Sequence, residues 1–116
     1  MTHLDIIMEY FERFFSGTSH PEDIRHYLAD DFTFTGPLMN AESADDYILQ
    51  LKAMGDELEM YAEVRSLLGS DDVVAALVDF QGPGGTITYA QWFTLREGKI
   101  SSLEVVYDPR SFFASD

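Results

Sequence analysis

Four long apolar-rich runs fill the second half of the chain, and they constrain the fold more than any other feature. Met60–Leu68, Val73–Gln81, Thr86–Arg96 and Ile100–Tyr107 largely alternate apolar and polar residues. The breaks between them are Gly69-Ser70-Asp71-Asp72, Gly82-Pro83-Gly84-Gly85 and Glu97-Gly98, all short and built from turn residues. Alternation with period two predicts strands, and breaks too short for a crossover predict consecutive antiparallel hairpins. One run departs from alternation. Val73-Val74-Ala75-Ala76-Leu77-Val78 is apolar at both parities, and Val106 puts an apolar residue on the second face of the last strand. That pattern predicts strands buried on both sides.

The first half carries the helical period instead. Leu4, Ile7, Met8, Phe11, Phe14 and Phe15 predict an amphipathic helix stopped by Ser16-Gly17. Ser19 as a cap, Pro21 in the first turn and the acidic Glu22-Asp23 predict a second, short helix that buries Ile24, Tyr27 and Leu28. Phe32 and Phe34 alternate with Thr33 and Thr35 before Gly36-Pro37, a short strand. A third helix is expected over Glu42–Leu58, with Ser43 and Asp46 as a capping box and Tyr47, Ile48, Leu51, Met54 and Leu58 on one face. Helices followed by strands define the α+β class, with three N-terminal helices packed on one face of an antiparallel sheet. At 116 residues the chain is read as a single domain over 1–116. Helices cover only one face of such a sheet, so the two-sided strands predict a homodimer through the other.

Composition narrows the function classes. Seven basic residues stand against 21 acidic ones, a formal net charge of −14. Nucleic-acid binding needs a stripe of Lys and Arg, and the same field repels anionic membranes and polyanionic substrates. Uncharged and cationic small molecules are compatible with it. The chain has no cysteine, which removes disulfides, thiolate nucleophiles and Cys-ligated metals. The Asp pairs at 30–31, 45–46 and 71–72 suit helix ends and turns, so no metal site is read from them. Met1 to Phe15 holds acidic residues within its apolar pattern, unlike a signal segment, and a cytoplasmic protein is expected.

The element order, with "LADDFTFTGP" (Leu28–Pro37) and "QWFTLREGKISSLEVVYDP" (Gln91–Pro109), resembles the SnoaL-like and nuclear transport factor-like superfamily. The resemblance covers nearly the whole chain. It implies a strongly curved sheet closing with the helices into a cone, the cystatin-like fold, around an apolar pocket. Members of the superfamily include ketosteroid isomerases, polyketide cyclases, dehydratases, epoxide hydrolases and non-catalytic binding proteins, so the fold alone does not select a function. Steroid isomerases of this fold place a general-base carboxylate just before a Pro at the end of the first strand. Here that place is Gly36, before Pro37. Their oxyanion-binding acid falls nearest Gln91, and their helix-borne tyrosine nearest Tyr10. The dehydratases use pocket histidines, for which His3, His20 and His26 are the candidates. The epoxide hydrolases use an Arg flanked by carboxylates, for which Glu63, Arg65 and Asp79 are the candidates, with solvated cross-strand pairing as the commoner outcome.

Strand parity sets the expected lining. If Gln91 points inward, so do Tyr89 and Phe93, and the matching set on the last strand is Leu103, Val105 and Tyr107. The helices add Phe14, Tyr27, Tyr47, Leu51 and Met54, and Phe34 lies near the floor. Asp108-Pro109 starts a last turn whose Phe112 and Phe113 would close the mouth. Three readings follow. One is a cofactor-free isomerase, cyclase or dehydratase in which Tyr10 and Gln91 polarise a carbonyl and Asp79 is the base. The second is a carrier of a small apolar or aromatic molecule. The third is a dimeric protein-interaction module with a filled interior. The catalytic reading requires Tyr10, Gln91 and Asp79 to converge on one cavity.

Overall fold

A computed structural model describes residues 2–14, 21–37, 39–54, 61–82 and 85–108. Helix α1 spans His3–Phe14. Its first turn is closed by a reciprocal cap: the Asp5 N–H donates to Thr2 Oγ1 and the Thr2 N–H to Asp5 Oδ2, both at 3.1 Å. Ile6, Ile7, Tyr10 and Phe11 are buried, whereas Met8, expected on the apolar stripe, faces solvent. The Ile6-Ile7 pair shifts the buried face away from it. The second helix is of the 3₁₀ type, Pro21–Tyr27. Helix α2 spans Ala44–Met54 and starts at the expected cap, with the Asp46 N–H donating 3.0 Å to Ser43 Oγ. Its predicted continuation to Leu58, the Ser19 cap and the closing turn with Phe112 and Phe113 lie outside the described residues.

Six strands form one sheet: β1 (Leu28–Thr35), β2 (Asn40–Ala41), β3 (Tyr61–Ser70), β4 (Val73–Gly82), β5 (Gly85–Arg96) and β6 (Lys99–Val106). The spatial order is β2-β1-β6-β5-β4-β3. The hairpins from β3 to β6 are antiparallel as predicted. The β5–β6 turn uses Glu97 and Gly98 at φ 53° and 79°, the pair of left-handed residues that matches strand twist in a two-residue hairpin. The sheet as a whole is mixed, which corrects the antiparallel expectation. β1 runs parallel to β6, with Phe34 opposite Leu103. Nor do all the helices precede the sheet, because α2 follows β1 and β2. Register shifts put an extra residue at Arg65 in β3 and at Ser101 in β6, bulge positions that bend a strand and curve the sheet.

One face of this curved sheet is covered. Phe11 and Tyr10 of α1 pack edge-on against Phe93 of β5 at 5.6 and 5.7 Å. Tyr47 of α2 lies 5.0 Å from Phe32 and 5.1 Å from Phe34. The strongest burial falls on Val74, Val78, Phe93, Leu95 and Ile100, all on strands, and on Ile7, Ile24 and Phe32. Among the described residues, nothing covers the other face. Leu68, Leu77, Trp92 and Val106 are exposed there, so the described part of the chain buries the two-sided apolar pattern on one side only.

Candidate functional site

Three rows of side chains cross the covered face of β4, β5 and β6. The deepest is Val74, Phe93 and Leu103; the next is Ala76, Gln91 and Val105. Beyond Gln91, Tyr89 stacks on Tyr107 with ring centroids 4.2 Å apart and planes 8° apart, and Phe80 lies 4.2 Å from Tyr89. The middle row is small at both ends, with Ala76 and Val105 flanking Gln91, Phe93 on one side of it and Tyr89 on the other.

Gln91 is 8% exposed and is the one polar non-aromatic side chain among the buried described residues. Among the described residues its amide forms no hydrogen bond, and neither does the Tyr89 hydroxyl. No described side-chain polar atom is both sealed from solvent-accessible space and without a partner. The Gln91 amide therefore opens onto accessible space on the covered face, with donor and acceptor capacity unspent.

Deeper in, α1 and α2 bring Tyr10 and Tyr47 together. Their hydroxyls are 2.9 Å apart and both residues are buried. Burial pushes the Tyr47 hydroxyl up to about 12, and burial beside Tyr47 raises Tyr10 well above its ordinary value. Both are neutral at physiological pH. Only one of the two hydroxyl protons is used in the pair, which leaves the other to donate to a third group. Burial likewise raises Tyr89, with Tyr107 adding to the shift.

The structure gathers some of the expected residues and separates others. Tyr10, Tyr47, Phe93, Leu103, Val105, Tyr27 and Leu51 are buried, and Phe14, Phe34, Tyr89 and Tyr107 are half-buried and packed against them. Met54 ends α2, and its side chain is outside the described residues. Asp79 does not join them. It accepts a 2.7 Å hydrogen bond from Thr88 Oγ1, lies 3.6 Å from Arg65 Nε and stands opposite Glu63. All of these are on the uncovered face. The three-group convergence that the catalytic reading requires is not formed, because Asp79 and Gln91 differ in strand parity. The Glu63–Arg65–Asp79 set is a solvated cross-strand cluster.

Gly36 lies one step beyond Thr35, which pairs with Glu104, and so comes level with Val105 and the row of Gln91. A Cβ at Gly36 would meet the Phe34 ring at 3.1 Å. His3 Nδ1 is 2.9 Å from the Asp71 carbonyl, and His26 is exposed with its ring 4.0 Å from Tyr27. His20 is outside the described residues. Among the described residues, no cluster of three or more His, Asp or Glu is placed to hold a metal ion, and no helix is long and apolar enough to cross a membrane. Sequence reasoning missed Ala76 and Phe80 on this face, although both share the parity of the deeply buried Val74 and Val78.

With this geometry, the SnoaL-like domain family matches residues 5–103, and the chain belongs to that family. Among solved structures, an NTF2-like protein of unknown function from Cytophaga hutchinsonii is 25% identical with a TM-score of 0.83, over 97% of this chain and 96% of that one. A candidate SnoaL-like polyketide cyclase from Jannaschia sp. CCS1 is 13% identical with a TM-score of 0.80, over 97% and 90%. A de novo designed protein with a curved β-sheet is 20% identical with a TM-score of 0.78, over 95% and 90%. The last two likenesses concern the fold alone. No curated protein matches the chain.

Proposed function

We propose that this SnoaL-like domain binds a small, largely apolar organic molecule on the covered face of its sheet, with the Gln91 amide as the polar contact that orients it. The observation that carries this reading is Gln91 itself: nine-tenths buried, without a hydrogen bond among the described residues, and open to accessible space. Open to accessible space, the amide can be hydrated while the site is empty, and a ligand hydrogen bond would take the place of that water. Binding without acid–base chemistry is favoured over catalysis, since Asp79 is engaged on the opposite face and Gly36 carries no carboxylate. Tyr10 and Tyr47 keep a narrower catalytic role within reach of this design, because their spare hydroxyl proton suits polarisation of a carbonyl.

A second copy of the chain is our reading for the uncovered face. Leu77, Ala90 and Val106 lie in one cross-strand row, and Leu68, Ala75 and Trp92 in the next. An exposed apolar patch of this kind on a sheet marks an interaction surface.

Native mass spectrometry of protein purified from cells, followed by solvent extraction, tests the ligand reading. The wild type is expected to release a stoichiometric small molecule, or to take up the neutral dye phenylnaphthylamine, and Gln91→Leu to retain less of the native ligand. A wild type that holds nothing and excludes the dye would sink it.

A further inference from the structure

Gln91 lacks a partner because of its neighbours in the sheet. Its cross-strand row runs Leu67, Ala76, Gln91 and Val105, and none of the other three has a polar side-chain atom. Gly36, level with Val105 on the β1 side, has no side chain to offer. Both halves of the carboxamide, the N–H donor and the C=O acceptor, are therefore unspent, and they lie in one plane. Water can serve both while the site is empty. A ligand that displaces this water must supply an acceptor and a donor together, or leave one half unmet.

A charged group has no counter-charge to meet on this face. Among the described residues no Lys, Arg, His, Asp or Glu is buried, and burial keeps the Tyr10 and Tyr47 hydroxyls neutral. A carboxylate or an ammonium brought here would give up its water without compensation, at far greater cost than a neutral polar group. Neutral groups differ in how they fit an amide. A ketone, ester or ether accepts from the Gln91 N–H but leaves the Gln91 carbonyl without a donor. A hydroxyl presents a single atom and cannot meet both halves in near-linear geometry. An N–H beside a C=O in one plane pairs with both, as a carboxamide does with the edge of an adenine base. On the reading that the covered face is a binding site, we propose that its ligand is neutral and meets Gln91 with an adjacent N–H and C=O pair. Lactams, imides and unsubstituted carboxamides with an otherwise apolar frame make up that class.

Dihydroquinolinone, a benzo-fused lactam, and its carbon isostere beta-tetralone share shape and differ by one N–H. Calorimetric titration of the full chain, wild type and Gln91→Leu, gives a lactam-over-ketone preference for each protein. Comparing the two preferences cancels the unequal hydration of the free compounds, which is common to both proteins. The preference is expected to be at least about tenfold greater in the wild type, the scale of one added hydrogen bond with an unmet carbonyl relieved. N-methyl dihydroquinolinone, which lacks the donor, should lose the advantage. Compounds that bind with the same preference in both proteins overturn the donor–acceptor assignment and leave the binding site standing. Should Gln91→Leu not fold, the wild type decides, because equal binding of the lactam and its N-methyl form overturns the assignment as well. If none of the compounds binds, uptake of phenylnaphthylamine separates the two failures. Dye uptake rejects only the donor–acceptor class, and no uptake rejects the site itself.

Discussion

The two faces of the sheet are made from alternate residues of the same strands, yet they have opposite fates. Phe93 and Trp92 are neighbours in β5. Phe93 is wholly buried beneath Tyr10 and Phe11, while Trp92 is 53% exposed. Val105 and Val106 are split in the same way. Both faces are rich in apolar side chains, so composition does not explain the difference; cover does. The helices reach one face only, and on that face the polar exceptions, Gln91 and the Tyr10–Tyr47 pair, stand out as sites where chemistry is directed inward. On the other face the polar groups, Glu63, Arg65, Asp79 and Thr88, satisfy one another or water. A polar residue therefore carries functional weight according to the face it shares, and Asp79 loses its proposed role by parity alone.

The comparison breaks most readily at Phe93 and Trp92. Phe93→Ala is expected to cost roughly 3–5 kcal/mol in urea unfolding, the range for a large aromatic removed from a core. Trp92→Ala, measured on dilute protein, should shift stability by no more than about 0.5 kcal/mol. Similar losses at both sites would mean that the outer face is covered even in a dilute single chain.

The proposed dimer sharpens the same contrast at higher concentration. Val106→Glu should weaken self-association by at least about tenfold in sedimentation equilibrium, as a charge placed in an apolar contact does. Because each copy carries −14, added salt should strengthen the wild-type dimer. A wild type that stays monomeric at all concentrations and salts removes the second copy from the outer face.

A smaller effect is expected at the hydroxyl pair. Tyr10→Phe leaves the Tyr47 hydroxyl without its 2.9 Å partner and should cost about 1–2 kcal/mol. The variant with both tyrosines replaced by Phe should lose less than the sum of the two single changes, so a double-mutant cycle shows coupling. Strict additivity would mean that the two hydroxyls do not interact.

The effects of pH run in opposite directions on buried and exposed groups. Tyr47 is raised in the folded chain to about 12 by burial, above its ordinary value of 10.0. The unfolded chain releases that proton first, so this contribution is intact below pH 10 and is lost as pH climbs toward 12. Stability of the wild type should fall over that window more steeply than that of Tyr10→Phe/Tyr47→Phe. Asp31 is lowered by its hydrogen bond from Arg96, at 2.6 Å. Its contribution is present above the unfolded value of about 3.9 and fades as pH falls through the lower folded value. The small gap in urea midpoint between wild type and Asp31→Asn should therefore close on acidification. A gap unchanged down to pH 2 would place the Asp31–Arg96 pair outside the folding equilibrium.

Local chemistry was legible in the chain. The four strands and their turns, the Ser43–Asp46 cap and the inward parity of Tyr89, Gln91, Phe93, Leu103 and Val105 all follow from neighbours within a few residues. Long-range placement was not. Nothing near Phe32 and Phe34 states that β1 will lie parallel to β6, since that pairing joins segments some 70 residues apart and is settled by burial against Tyr47. Asp79 shows the same limit within the candidate site. Its parity relative to Val78 and Phe80 could be counted, but which parity would be covered depends on where the helices dock.

The sequence by itself determined the class of fold, because period and turn chemistry act locally and leave few topologies for helices followed by hairpins. Strand parity also set Tyr89, Gln91 and Phe93 on one common face. Only the tertiary structure decided that Tyr10 pairs with Tyr47, that Asp79 faces away and that, among the described residues, one face of the sheet is uncovered. Each of those outcomes depends on a contact between distant segments, whose geometry is set by how the curved sheet and the helices pack together.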